Sequence, residues 1–562
     1  MKRDLEKLSN RRFDVLVVGG GIHGALAAWD ASLRGLSVGL IERGDFGGST
    51  SQNSLKVIHG GLRYLRDGSL RRVRMMARER TTWMRIASHL VHPLAFVIPT
   101  YADPARGKLA MRFAFGLNDL VSYDRNRLTD PEKFLPGGRI ISLEECARLL
   151  PGLGHSGMTG AAMWYDAQMH NSERLLLEFV HSADEAGAAV ANYVEATSLL
   201  RQGKSVIGVR VRDVLSGQEF DLRSSIVINA AGAWIDQLLG TLGPAVRPQY
   251  SASIAVNLMV RQVWEGVAVG LPSKSARSSD FGGQNRLPRM IFVVPWRDRS
   301  ILGTWHIPWP HPPDEFKMTD PLIQGFLDEA NRAYPGLDLS LEDVEHAHWG
   351  FLPVGGAGGQ EGGVKLKREG VVVNHQETDG MAGLISVVGV KYTTARLVAE
   401  KAVDLAVDQL GRKGLACQTH CTPVMGGHID RFQAYLAEAR VQATVALDAA
   451  ITEHLVYSYG SQHRRLLESI AAQPALGERV DRQMPVTRAE IVHAVRQEMA
   501  QTLSDVIRRR TELGAGGLPS METLRCCAEL AGRELGWDST RQSAEIELVL
   551  GEFPLARAGR AA

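Results

Sequence analysis

The sequence is poor in the features that mark several large protein classes. Five cysteines in 562 residues are too few for a disulfide framework. Cys417-Gln-Thr-His420-Cys421 lacks a second ligand pair at zinc spacing, so no metal is expected. No run of 18 apolar residues occurs, which excludes a membrane-spanning helix. The charged start Met1-Lys-Arg-Asp-Leu-Glu-Lys7 leads into no apolar segment, so no signal peptide is expected and the chain reads as cytoplasmic. Charge of one sign is missing too. The 64 Lys and Arg face 62 Asp and Glu, for a net of +2, and no nucleic-acid partner is expected. No repeat of fixed period is found. What is present is an ordinary globular composition, 44% hydrophobic and 22% charged, long enough for two or three domains and too apolar for a disordered chain. Glycine is in surplus: 58 residues, about 10% against a usual ~7%. That points to tight turns and backbone laid close against a ligand.

The strongest local pattern lies in the first fifty residues. Phe13-Asp-Val-Leu-Val-Val18 reads as a buried parallel strand. It runs into Gly19-Gly-Gly21-Ile-His-Gly24 and then into helix-forming Ala25 to Leu33, which Gly35 closes. Ser37-Val-Gly-Leu-Ile41 is a second strand and ends at Glu42. Gly19 permits the turn, Gly21 lets backbone approach a pyrophosphate, and Gly24 lets helix and strand pack closely. The helix start offers free N–H groups and a positive dipole end to phosphate, and Glu42 stands where a carboxylate accepts ribose hydroxyls. An N-terminal motif of this kind favours FAD over NAD. Thr50 to Leu65 supports FAD, because the Gly60-Gly61 pair between His59 and Arg63 suits backbone against a flat ring.

His59-Gly-Gly-Leu-Arg-Tyr-Leu65 resembles the most recognisable motif of the bacterial FAD-dependent glycerol-3-phosphate dehydrogenase family, and the resemblance covers nearly the whole chain. Ile226 to Trp234 is similar to the family's second flavin signature. Ile291 to Trp296 and Ile301 to Thr304 are similar to strands of its substrate sheet, and Ser386 to Thr394 to its last flavin loop. The stretch from about Thr422 resembles its helical C-terminal domain. Departures cluster in the substrate region. Gly303-Thr-Trp-His306 stands for Gly-Thr-Thr-Asp. Gly350-Phe-Leu-Pro-Val354 stands for Gly-Val-Arg-Pro-Leu. Ser251 to Val256 lacks the histidine of Lys-Gly-Ser-His.

The resemblance implies an α/β fold: a Rossmann-like FAD-binding fold (1–95, 170–240 and 360–415) interleaved with a mixed β-sheet substrate domain (96–169 and 241–359), plus a C-terminal all-helical domain (422–562). The glycine tract 355–363 would be a loop between them. Motif and resemblance together nominate as flavin contacts Gly19, Gly21, Ile22, His23, Gly24, Glu42, Arg43, Thr50, Ser51, Lys56, His59, Gly60, Gly61, Val194, Ala231, Gly232, Gly389, Lys391, Tyr392 and Thr393.

Oxidising an alcohol at a flavin needs a proton acceptor and cations for an anionic tail. Arg63 and Lys391 are the candidate cations; His306, His59 and His348 are the candidate bases. The expected reaction is oxidation of glycerol 3-phosphate to dihydroxyacetone phosphate, with electrons passed to quinone or another acceptor. Two alternatives stand beside it: a different hydroxy or amine substrate, and a flavin-binding partner or sensor without turnover. Arg71 to Ile86 reads as a basic helix with an apolar stripe, and Lys108 to Phe115 as a second basic-aromatic stretch. The resemblance links the latter to peripheral contact with the cytoplasmic face of the inner membrane. Arg508-Arg-Arg510 reads as surface.

Overall fold

The computed structural model describes residues 1–65, 67–102, 107–153, 157–243, 246, 250–273, 290–354, 367–442, 447–553 and 555. The 355–363 glycine tract therefore lies outside the described residues.

Two sheets organise the described chain. The first contains β1 (Arg12–Val18), β2 (Val38–Ile41), β7 (Ala189–Ala191), β8 (Val194–Gln202), β9 (Ser205–Asp213), β10 (Glu219–Asn229), β16 (Val371–Asn374) and β17 (Leu384–Val388). Its centre is parallel, in the order β17-β10-β1-β2-β7, with Val15 opposite both Ile226 and Val38. The apolar run Val15 to Val18 is buried throughout, as a strand covered on both faces requires.

The second sheet contains β3 (Val57–Ile58), β4 (Val91–Tyr101), β5 (Arg139–Ile141), β6 (Met158–Met169), β11 (Ala252–Arg261), β12 (Val267–Pro272), β13 (Met290–Trp296), β14 (Arg299–Trp309) and β15 (Val344–Pro353). β3 is a departure from the expected division. It falls within the stretch assigned to the flavin fold, yet pairs with β6 of this second sheet, Val57 opposite Gln168. The step places His59 at the boundary between the two sheets.

The helices that position the site are α1 (Ile22–Leu33), α2 (Leu70–Ile86), α3 (Lys108–Val121), α4 (Ser172–Glu185) and α5 (Ala395–Gln409). α1 carries small residues along its length and is buried from Ile22 to Ser32 except at the half-buried His23. Trp29 meets Phe179 of α4 at 5.3 Å between ring centroids, and Trp83 of α2 meets the same ring edge-on at 5.4 Å. A Cβ on Gly24 would collide with the Gly19 carbonyl, so helix and turn close up only with glycine there.

Past residue 417 the described chain is helical, with α6 (Ala449–Tyr459), α7 (Arg488–Glu498), a π-helical turn Val506–Arg510, α8 (Met521–Leu535) and α9 (Ser539–Gly551). The triple arginine in the turn is not surface, contrary to the sequence reading. Arg509 and Arg510 are buried and converge on the carboxylate of Asp45, which follows β2. Arg174 of α4 pairs in the same way with Glu498 of α7 at 2.7 Å.

Candidate flavin and substrate site

One cavity of about 1640 Å³ runs across the C-terminal ends of β1 and β2 and on to the second sheet. At one end lie Gly19, Gly21, Ile22, His23, Glu42, Arg43, Val194, Ala231 and Gly232. Thr50, Ser51, His59 and Gly61 line the middle with Gly389, Lys391, Tyr392 and Thr393. Arg63 and His306 line the part between the sheets. The turns after β1 and β17 thus face one space, as their sequence motifs led one to expect.

Three of the nominated flavin contacts lie outside the lining. Lys56 is fully buried, its ammonium bonded to Glu173 at 2.7 Å and to Ser172 at 3.1 Å, so burial and pairing hold it in the protein core. Gly60 faces Arg80 and Asp166, where a Cβ would collide with the guanidinium. Gly24 acts through packing alone. His348, nominated as a base, is buried on β15 and bonded to Asn53 at 3.1 Å; it does not line the cavity.

The donors and acceptors at the dinucleotide end suit FAD. Glu42 accepts backbone N–H bonds from Gly20 at 2.7 Å and Gly44 at 2.9 Å, which leaves lone pairs on both oxygens for ribose hydroxyls. Burial raises its carboxyl, and these N–H groups oppose the rise. His23 Nε2 is buried in the cavity wall without a protein hydrogen-bond partner. Burial pushes that imidazole down to about 4, so it is neutral at ordinary pH and can donate or accept. Its ring fills the space where a Cβ on Gly389 would sit, which ties the first motif to the last. Arg43 stacks over Trp234 at 4.1 Å and pairs with Asp314 at 3.2 Å.

Between the sheets the cavity is cationic. Arg63 donates to the Tyr64 hydroxyl at 3.0 Å, and Lys391 donates to the same oxygen and to the Arg368 carbonyl at 2.7 Å. Arg368 lines the cavity and pairs with Asp67 at 3.1 Å. Burial works to raise the Tyr64 phenol, but Arg63 and Lys391 hold it below its ordinary value. Burial pushes the Lys391 ammonium down, and Arg63 adds to that. Opposite, His59 Nδ1 lies 3.4 Å from the Asp166 carboxylate, and its backbone N–H donates to Thr393 Oγ1 at 3.2 Å. Leu352 and the buried Phe351 line the wall where the resemblance places an arginine. The Phe351 N–H donates to Thr50 Oγ1 at 2.9 Å, and its ring packs on Trp234.

Tyr64, Asp166, Arg368 and Arg80 were not nominated from sequence. Tyr64 sat inside the quoted motif and could have been read from its place beside Arg63. Asp166 carries no local signature; strand pairing alone brings it to His59.

A Ser-His-Asp arrangement also exists, with His375 bonded to Asp379 at 2.7 Å and Ser386 at 2.8 Å. The side chains of all three are covered and none lines the cavity, so the arrangement acts as a clamp on β17.

The glycine turn, the buried acid at the end of β2 and the open cavity define a flavin-dependent oxidoreductase site. The chain belongs to the family of FAD dependent oxidoreductases, whose model matches residues 14–400. A second model, the C-terminal domain of alpha-glycerophosphate oxidase, matches residues 417–542. The chain is 32% identical to a glycerol-3-phosphate dehydrogenase of Synechocystis sp. over 91% of its own length and 90% of that protein's. It is 30% identical to the mitochondrial glycerol-3-phosphate dehydrogenase of Homo sapiens, over 95% of this chain and 72% of that one. Its fold is similar to that of the glycerol-3-phosphate dehydrogenase from Bacillus halodurans complexed with FAD, with a TM-score of 0.75 at 23% identity, covering 98% and 96% of the two chains.

Proposed function

We propose that the chain oxidises glycerol 3-phosphate at C2 to dihydroxyacetone phosphate. The observation that supports this reading is that Arg63, Lys391, Arg368 and His59 line one cavity with the flavin residues, Arg63 and Lys391 meeting at the Tyr64 hydroxyl. When bound, FAD would supply the two-electron acceptor for the hydride lost from C2. The cations hold the phosphate dianion by charge-assisted bonds. His59 takes the proton of the C2 hydroxyl as the C2–H bond breaks and the carbonyl forms, so one hydride and one proton leave the alcohol. Leu352 and Phe351 stand where the family carries a guanidinium, and Arg368 lines the same cavity. Anaerobic mixing of the flavin-loaded protein with glycerol 3-phosphate should bleach the oxidised-flavin absorbance within seconds. Bleaching by another alcohol or an amine, with none by glycerol 3-phosphate, would overturn the substrate.

The re-oxidant is proposed to be a membrane quinone. No described helix is long and apolar enough to cross a membrane. α3, however, presents Leu109, Phe113 and Leu120, with Tyr123 just beyond its end, at 69–79% exposure beside Lys108 and Arg112. Its other side supplies Met111 and Ala114 to the cavity wall. Such a helix suits insertion into an anionic lipid surface above the site. Phe113→Glu should cut cosedimentation with anionic vesicles several-fold while leaving bleaching by substrate unchanged.

A further inference from the structure

The loop carrying His59 is held by a carboxylate distant in sequence. Asp166, on β6, is buried, and four donors surround it. Oδ1 accepts from the Gly60 N–H at 2.6 Å and from Arg80 at 2.5 Å. Oδ2 faces Trp164 Nε1 at 3.3 Å and His59 Nδ1 at 3.4 Å. Arg80, itself buried on α2, also donates to the Tyr165 carbonyl at 2.9 Å, so its guanidinium is fixed against the same strand. The His59 ring packs against both Phe96 and Phe292, with centroids 5.8 and 6.1 Å away. Its side chain is 38% exposed and lines the cavity.

We infer that Asp166 is the positioning residue for His59, fixing which ring nitrogen faces the substrate; this rests on the reading of His59 as the base. An ionised acceptor on Nδ1 keeps the proton there, which leaves the Nε2 lone pair for the cavity. When Nε2 takes the hydroxyl proton, the same carboxylate stabilises the imidazolium that forms. Arg80 has a matching task. Burial alone would raise the Asp166 carboxyl, but His59, Arg80 and the Gly60 N–H together hold it below the usual carboxylate range. The carboxylate is therefore ready as an acceptor before substrate arrives. The 3.4 Å separation is loose, as such bonds often are before the reacting complex forms.

A merely structural Asp166 would anchor the Gly60 turn without touching turnover through His59, and a double-mutant cycle separates the two. With flavin content matched, Asp166→Asn should lower kcat on the order of 100-fold while KM for glycerol 3-phosphate stays within about threefold. His59→Gln should lower kcat by a similar or larger factor. The double variant should fall no more than about threefold below the slower single one, because both changes remove one device. Multiplying losses would overturn the inference, as would wild-type kcat in Asp166→Asn. Wild-type kcat in His59→Gln would remove the reading of the base, and this inference with it. If Asp166→Asn fails to retain flavin, Asp166→Glu is read instead. It keeps the charge beside Arg80 but moves it, and a kcat loss of about tenfold at unchanged KM supports the positioning role, while wild-type kcat overturns it.

Discussion

Individual side chains set the protonation pattern of the cavity. His23 is the clearest case, because burial holds it at about 4 against about 6.5 for a free imidazole. Between these values the unfolded chain binds a proton that the fold refuses. Its contribution to stability is therefore present above pH 6.5 and is lost as pH falls toward 4. In thermal unfolding with FAD saturating, the Tm gap between wild type and His23→Asn should close as pH drops through that window. Arg63 should behave differently. It is exposed toward the cavity mouth and bonded to Tyr64. Arg63→Ala should keep its flavin but lose tenfold or more in kcat/KM, from a charge-assisted contact worth roughly 1.5–3 kcal/mol. Steady-state kinetics at matched flavin content would show it. Gly19, Gly21, Glu42 and Arg63 line the cavity, and their signature is contained in a few neighbouring positions of the sequence. Asp166 and Arg368 have no such signature, since each becomes a site residue through contacts the local sequence does not encode.

At the scale of elements, the turn after β1 shows how much rests on one missing methyl group. α1 closes on β1 because Gly24 leaves room for the Gly19 carbonyl. Gly24→Val should push the helix off the strand, costing about 1–3 kcal/mol of overpacking and releasing flavin on gel filtration. The strand-turn-helix-strand unit was readable from periodicity and glycine spacing, whereas β13 and β14 came only through the family resemblance. The basic helix α2 was half readable. Its apolar stripe is buried, but Arg80, one of the basic residues between, turns inward to Asp166. The Val506–Arg510 turn was misread outright. Three consecutive arginines look like surface until a buried acid supplied by another part of the chain is seen opposite them. Charge pattern along an element does not say what the far side of the molecule brings to it.

In the molecule as a whole, the helical region grips the flavin loop. Arg509 and Arg510 meet at Asp45, and Asn192 donates to the same carboxylate at 2.9 Å. Asp45 lies within the loop that lines the cavity from Arg43 to Leu55. The Asp45 carboxyl is held down to about 2, since burial is outweighed by the two guanidinium groups. Arg510→Met leaves that charge half-paired inside the protein, at a cost of about 3–5 kcal/mol. Calorimetry should show a lower Tm, and flavin fluorescence should show faster FAD release, although the substitution lies in the last quarter of the chain. The interleaving of the sheets has a further consequence, for the order of synthesis. β1 is paired by β10, roughly 200 residues later, and β10 in turn by β17. At about 5–20 residues per second, the opening strand leaves the ribosome on the order of 10–40 s before its neighbour is made. For that interval Val15 to Val18 have one bare edge, a site for wrong pairing that the chain carries long before it can bind a flavin.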